Sequence, residues 1–295
     1  MFNICQFCEE YGFLSDATTH FSAEYQKLTA NADTYAVFCA QLQAYRDDLA
    51  FDHLPVLEKL HTLAETLKIH KYTIEMLYLL CLMPDLKAHY QRENIPLQYY
   101  DSFAYNLKAY TESCKRTYGV WGTDIAWWLM DFFKLKLFSI GRLQFRRRKF
   151  RKDIGGYTKG DYYLDIHVPG GAPLTSELCA ASYAEAADFF RQRYHMTDIV
   201  FGCHSWLISP DLVSILPVKS NILTFSRGYT ILETHTDPTS SAVRFIFDVP
   251  ALPSDLDTLP EATSLQKAIK QHLKAGKTIN TAFGIMDYEK CKEDL

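Results

Sequence analysis

Residues 162–194, YYLDIHVPGGAPLTSELCAASYAEAADFFRQRY, combine an alternating stretch, a glycine-containing turn and a long amphipathic run. They predict a strand, a tight turn and an α-helix in that order. Such an order places backbone N–H groups at a helix start beside a strand end, where anionic ligands bind. The next strand-like run, 199–208, carries a second histidine at a comparable depth. His167 and His204, with the turn after the first strand, are therefore the candidate site.

The composition indicates an ordinary globular protein. Of the 295 residues, 48% are hydrophobic and 22% are charged, so a sizeable apolar core is expected. The net charge of −4 gives no support for a nucleic-acid partner. The N-terminus lacks the pattern of a signal peptide, and no run reaches the ~20 apolar residues of a membrane span. We therefore expect a cytoplasmic protein with no membrane segment and no nucleic-acid ligand.

The cysteines do not indicate a metal site. Eight are scattered along the chain, and several lie inside apolar runs, where cysteine behaves as a small hydrophobe. Cys5 and Cys8 form the only close pair, and no second pair at zinc-binding spacing follows them. No metal is expected.

By its pattern the chain divides into a helical first part and a mixed second part. Residues 1–118 contain a single glycine, Gly12, and apolar residues recur there at steps of three and four. These features predict a bundle of five or six helices. Residues 119–295 mix strands with helices, which predicts a sheet layered with helices. The expected fold class is α+β, with an all-helical domain at 1–118 and a mixed α/β domain at 119–295.

In residues 119–295, the spacing of the apolar residues predicts the helices and strands. Helices are expected at 124–136, 176–194 and 261–275. Strands are expected at 137–145, 162–168, 199–208, 222–225 continuing into 229–232, 243–249 and 281–286.

His167 lies at the end of the predicted strand 162–168, on the face that it shares with Tyr163 and Asp165, because side chains alternate along a strand. Ligands of α/β sheets tend to bind at such strand ends. The ordinary pKa of imidazole is near neutrality, so His167 can accept a proton from an attacking amine. The alternative is a histidine that donates to a nearby carbonyl for structural reasons.

His204 is the second candidate base. It lies on the opposite face of its strand from Cys203, so these neighbours cannot form a nucleophile–base pair. The strand 199–208 is nearly all apolar, as in a strand covered on both faces. The alternative for His204 is therefore a core histidine that is bonded to the backbone.

The turn GGAPLTS is the candidate phosphate site. Gly170 and Gly171 let the backbone approach a pyrophosphate, and Thr175 or Ser176 can cap the helix or donate to a phosphate oxygen. Pro173 removes one N–H from this cradle. The alternative is an ordinary tight turn with a helix cap. The sequence contains no nucleotide-triphosphate, dinucleotide or hydrolase signature.

The run 146–152, RRRKFRK, is the strongest concentration of charge. It can clamp phosphates, which arginine contacts through paired N–H donors. The alternative, which we favour, is an edge strand whose cations prevent sheet-to-sheet association.

Four stretches resemble a bacterial acyltransferase-like family: 140–145 (IGRLQF), 164–174 (LDIHVPGGAPL), 201–207 (FGCHSWL) and 216–222 (LPVKSNI). Members of that family join an N-terminal helical domain to a C-terminal domain with the GNAT N-acyltransferase fold. The resemblance covers nearly the whole chain. One departure is the loop, where GNAT enzymes usually carry Q/R-x-x-G-x-G/A and this chain has PGGAPLT.

The resemblance implies that 162–168 is the central GNAT strand and 176–194 the helix after the pyrophosphate loop. The run 199–208 would be the neighbouring parallel strand, which splays away to admit the pantetheine arm of an acyl-CoA. The implied activity is acyl transfer from acyl-CoA or acetyl-CoA, with direct attack of an amine on the thioester. His167 or His204 would be the general base.

The resemblance also implies a place for the cofactor and the acceptor. Gly170, Gly171 and the N–H groups of Thr175 and Ser176 would hold the pyrophosphate, and Arg142 would assist. The acceptor would be a small-molecule amine or a peptide. One alternative is a non-catalytic binding module that keeps the fold and presents the helical domain to a protein partner. Another is a small-molecule sensor that uses the same cleft.

Overall fold

The computed structural model describes residues 2–237 and 241–291. Its contacts divide the chain into two compact units, Met1–Phe138 and Ser139–Leu295. The described part of the first unit is helical, as predicted. Its helices are α1 (Ile4–Glu10), α2 (Ser15–Thr29), α3 (Ala32–Asp47), α4 (Leu54–Leu67), α5 (Lys71–Arg92), α6 (Leu97–Tyr118) and α7 (Ala126–Phe133).

Helix α5 is the centre of the first unit. Every residue from Thr73 to Met83 is buried, and the helix packs against α2, α3, α4, α6 and α7. A helix that is apolar on all sides must be surrounded by other elements, which is the position of α5 in the bundle.

Helix α7 belongs to this bundle. The ring of Phe132 stacks on Phe103 of α6, with centroids 4.0 Å apart, and Phe133 packs edge-on against the same ring. The predicted boundary after residue 118 lies before α7, whereas the contacts place the division after Phe138. These aromatic contacts are the physical reason for the difference.

The second unit is built on a mixed six-stranded sheet with the order β1-β2-β3-β4-β6-β5. Strands β3 and β4 are parallel, whereas β2/β3, β4/β6 and β5/β6 are antiparallel. This architecture confirms the predicted α+β class. The strands are β1 (Leu137–Ile140), β2 (Leu143–Lys149), β3 (Tyr162–His167), β4 (Val200–Ser205), β5 (Thr230–His235) and β6 (Thr281–Asp287).

Helices accompany the sheet in the second unit. They are α8 (Ser176–Tyr194), α9 (Asn221–Arg227), α10 (Ser241–Phe247), α11 (Ser264–Lys274) and α12 (Tyr288–Cys291). Helix α8 covers one face of the sheet, where the ring of Tyr183 lies 4.9 Å from Phe201 of β4 and 6.4 Å from Phe145 of β2. We call this the α8 face, and the opposite side the histidine face, because His167 and His204 lie on it.

Two predicted strands are wrong. Residues 222–225 and 243–249 lie largely within helices α9 and α10. In α10 the buried residues include Val243, Ile246 and Phe247, which share one helical face and join a core cluster with α11.

The predicted strand 137–145 is divided into β1 and β2 by a turn at Gly141. Its φ of +59° lies in the left-handed region, and a Cβ there would stand 2.5 Å from the hydroxyl oxygen of Ser182. The turn makes β1 the outer strand and places it beside the first part of β2. Because β1 has four residues and β2 has seven, the basic end of β2 extends beyond β1. The edge-strand interpretation of the basic run therefore stays a prediction.

Candidate functional site

Strands β3 and β4 diverge at the two candidate histidines. Their parallel pairing runs through Leu164↔Phe201 and Asp165↔Gly202 and ends at Ile166↔Cys203. On their outer sides both strands stay paired, since His167 faces Gln144 of β2 and His204 faces Phe283 of β6. Among the described residues, the β3/β4 pairing thus ends one residue before the end of β3 and two residues before the end of β4. Backbone groups at this opening can bind a ligand that extends between the strands.

The loop between β3 and α8 leads from this opening to the start of a 19-residue helix. Thr175 is the N-cap, and its hydroxyl oxygen accepts from the N–H of Leu178 at 3.4 Å. Gly171 has a φ of +88°, which requires glycine there, and a Cβ on Gly170 would meet no atom within 4 Å. The loop therefore contains the predicted turn and cap. The positive end of the α8 dipole, at Ser176, adjoins it.

Arg142 holds this loop in place. Its guanidinium donates from Nε to the carbonyl of Pro173 at 2.7 Å and from Nη2 to the carbonyl of Ala172 at 2.8 Å. Its own backbone N–H donates to Ser182 of α8 at 2.7 Å. Arg142 thus ties the β1–β2 turn to both the loop and the helix. The structure assigns it a positioning contact, and direct contact with a phosphate stays a prediction.

Replacing Arg142 with methionine is expected to weaken the binding of acyl-CoA about tenfold, because the loop loses two hydrogen bonds from a charged donor. Titration calorimetry measures the Kd, and the melting temperature shows whether the fold is kept. Arg151→Met, at an exposed position of the same unit, is the control. An unchanged Kd for Arg142→Met would contradict the positioning role.

His167 lies beside a buried carboxylate. Its Nε2 atom is 3.3 Å from Oδ2 of Asp165, whose side chain is 4% exposed. The same oxygen accepts from Nη2 of Arg146 at 3.0 Å and from Nη1 of Arg148 at 3.3 Å. Burial opposes ionisation, but the contacts with His167 and Arg146 outweigh it and lower the pKa of Asp165 to about 2. The imidazole of His167 thus lies against an ionised carboxylate.

His204 is exposed, so the alternative of a core histidine is wrong for this residue. Its ring lies edge-on to the ring of His235 on β5, with centroids 5.6 Å apart. Loss of water on the packed side of the ring lowers the pKa of His204, and the neighbouring His235 lowers it further. His204 is therefore neutral at pH 7 and able to accept a proton.

Cys203 lies on the α8 face and is completely buried. Burial raises the pKa of its thiol far above neutrality, so the nucleophilic thiolate does not form. This agrees with the expectation that Cys203 and His204 do not act together.

A cavity of about 380 Å³ opens on the α8 face. It lies between the start of α8 and helix α9, and its lining includes Thr175, Ser176, Tyr183, Arg227 and Met286. Two of the predicted phosphate-binding residues thus border a cavity, whereas both histidines lie on the other side of the sheet. The opening between β3 and β4 lies between these two sides.

Sequence reasoning missed two features of this cavity. Arg227 was overlooked because it lies between the predicted strands 222–225 and 229–232, although it adds a cation to the cavity that Thr175 and Ser176 also line. Tyr183 was overlooked as an ordinary core aromatic. Its hydroxyl hydrogen-bonds to that of Tyr229 at 2.8 Å, and burial raises the pKa of both phenols well above the usual value.

Two sequence families match the chain. The model of the GNAT-like C-terminal domain matches residues 137–286, just over half of the chain. The chain belongs to this family. The model of the N-acyltransferase N-terminal domain matches residues 3–135. The resemblance noted in the sequence is therefore confirmed, and the second unit has the GNAT-like acyltransferase fold.

Solved structures show the same fold over nearly the whole chain. An acyltransferase in complex with decanoyl-CoA and teicoplanin is 21% identical, with a TM-score of 0.73 over 96% of this chain and 87% of that one. An acyltransferase mutant in complex with octanoyl-CoA is 22% identical, with the same TM-score and coverage. At such identities the likeness concerns the fold. Among curated proteins, none matches the chain significantly.

Within residues 2–237 and 241–291, no three His, Cys, Asp or Glu side chains are grouped so that they could hold a metal ion. In the same part of the chain, no helix is both long and apolar enough to cross a bilayer.

Proposed function

We propose that this GNAT-like protein is an N-acyltransferase that moves an acyl group from an acyl-CoA thioester to an amine. The observation that carries the proposal is the divergence of β3 and β4 at His167 and His204. A cavity at a helix start lies on one side of this opening, and proton acceptors lie on the other. A thioester bound on the α8 face could therefore meet, through the opening, an amine and a base on the histidine face.

The acyl-CoA would lie with its pyrophosphate at the start of α8. Gly170 and Gly171 allow close approach, and the N–H groups of Thr175 and Ser176 point towards the anion. Arg227 adds positive charge at the cavity. The complexes of the matched acyltransferases with decanoyl-CoA and octanoyl-CoA support a CoA thioester as the donor.

The reaction would be a direct attack. The amine nitrogen forms a bond to the thioester carbonyl carbon, the C–S bond breaks, and CoA leaves as the thiol after proton transfer. His167 would accept the amine proton, because the adjacent carboxylate of Asp165 would orient its ring and stabilise the imidazolium. His204, which is neutral and exposed across the opening, is the alternative base.

The acceptor would be a small-molecule amine or a peptide, and the matched acyltransferases that were solved with teicoplanin support this class. A cytoplasmic location is supported by the cysteines, all eight of which are free thiols, as in a reducing compartment. A non-catalytic module is not favoured, because the matched structures are those of acyltransferases.

Titration calorimetry with acetyl-CoA, octanoyl-CoA and decanoyl-CoA tests the proposal, followed by mass spectrometry of a panel of amines. We expect one binding site with a micromolar Kd and transfer to at least one class of amine. Absence of binding at millimolar acyl-CoA, with the circular dichroism of a folded protein, would overturn the proposal.

A further inference from the structure

The histidine face has an excess of positive charge at the diverging strands. Asp165 is a single buried carboxylate that receives two guanidinium groups, those of Arg146 and Arg148. Farther along the face, Glu233 of β5 is paired with Lys152. Beside the diverging strands, two guanidinium groups thus share one carboxylate, in a protein whose net charge is −4.

Arg148 is the cation placed to meet a ligand. Its Nη1 contacts Asp165 at 3.3 Å, yet its side chain is 35% exposed, compared with 19% for Arg146. It lies close enough to His204 to affect the titration of that histidine. A guanidinium has five N–H donors in a planar fork, so Arg148 can donate to Asp165 and also to a second acceptor on its exposed side. Carboxylates are the acceptors that this fork fits best.

We propose that the acceptor amine carries a carboxylate, as an amino acid does, and that Arg148 binds that carboxylate and so determines specificity. This inference rests on the proposed acyl transfer, because it takes the histidine face to be the side on which the amine arrives. A cation there also has a chemical effect on the amine. It disfavours the ammonium form, so that more of the bound acceptor carries the lone pair needed for attack.

Product binding tests the inference without requiring turnover. Calorimetry compares N-decanoylphenylalanine with N-decanoylphenylalaninamide, and the N-acetyl pair in the same way. These pairs differ only in whether the carboxylate is present. We expect the acid to bind about 10- to 100-fold more tightly than the amide in at least one pair. This ratio should fall to near one in Arg148→Gln and be partly kept in Arg148→Lys.

Arg147→Gln is the matched control. Arg147 is the preceding residue of β2, but its guanidinium lies between the rings of Tyr162 and Tyr194 on the α8 face. The substitution removes the same charge from the other side of the sheet, and it should leave the acid-to-amide ratio unchanged.

Equal affinities for acid and amide, no binding of either product, or a ratio that Arg148→Gln leaves unchanged would each overturn the inference. Binding of acyl-CoA is measured on the same samples. Normal binding of acyl-CoA together with equal affinities for acid and amide would contradict only the proposed recognition of a carboxylate. Failure to bind acyl-CoA would contradict the proposed acyl transfer itself.

Discussion

Replacing His167 with glutamine is expected to lower kcat/KM for acyl transfer about 10²- to 10⁴-fold, the usual contribution of a positioned general base. Glutamine keeps a side chain of similar reach but cannot take the proton of the attacking amine. The cavity that we propose for acyl-CoA lies on the α8 face, away from this side chain, so the Kd for acyl-CoA should change little. Steady-state kinetics and calorimetry measure the two quantities on the same protein.

His204→Gln is the matched comparison, because His204 lies across the opening and is also a proton acceptor. If His167 is the base, His204→Gln should lose less than tenfold in kcat/KM and keep the pH profile. A larger loss in His204→Gln than in His167→Gln would contradict the assignment of His167 and transfer the role to His204.

Replacing Asp165 with asparagine is expected to lower the free energy of unfolding by about 3–5 kcal/mol, because it leaves two partly buried guanidinium groups without the buried carboxylate that they share. Urea denaturation followed by circular dichroism measures the change. Asp188→Asn, on the exposed surface of α8, breaks the contact with Arg191 and should cost less than about 1 kcal/mol. Equal decreases in the free energy of unfolding for the two variants would contradict a stabilising role of the buried Asp165 carboxylate.

The same carboxylate gives the wild-type protein a pH dependence whose sign follows from its lowered pKa. Asp165 has a pKa of about 2 when folded, below the ~3.9 of an unfolded aspartate. The unfolded chain therefore binds the proton more readily. The stability from Asp165 is fully present above about pH 4 and is lost as the pH falls towards 2. Asp165→Asn should lack this part of the acid dependence.

The elements that were predicted well have a strong local signal. Helix α8 was predicted with its observed bounds, because Thr175 provides a cap and a long amphipathic run follows. The short, largely apolar runs at 222–225 and 243–249 were misread, because runs of four to seven such residues fit a strand or a buried helix equally well. Only their packing against α11 and the neighbouring core decides for a helix.

For the candidate site, too, the local pattern predicts neighbours along one strand but not contacts between residues that are far apart in the sequence. Alternation along β3 was enough to place Asp165 and His167 on one face. Their arginine partners required the register of β2, since Arg146 lies opposite Asp165 only in the observed antiparallel pairing of β2 with β3. The contact of Arg142 with the loop joins residues about 30 positions apart, and no local pattern predicts such a contact.

The divergence of β3 and β4 has a consequence for how such proteins can evolve. The gap is formed by main chain, so exchanges of the surrounding side chains need not close it. This chain and the matched acyltransferase share only about a fifth of their residues and keep the same fold. The slot that we propose for the thioester could persist in the same way while the side chains around the entering nucleophile change. Donor use should then be inherited with the backbone, and the choice of acceptor should vary from one lineage to the next.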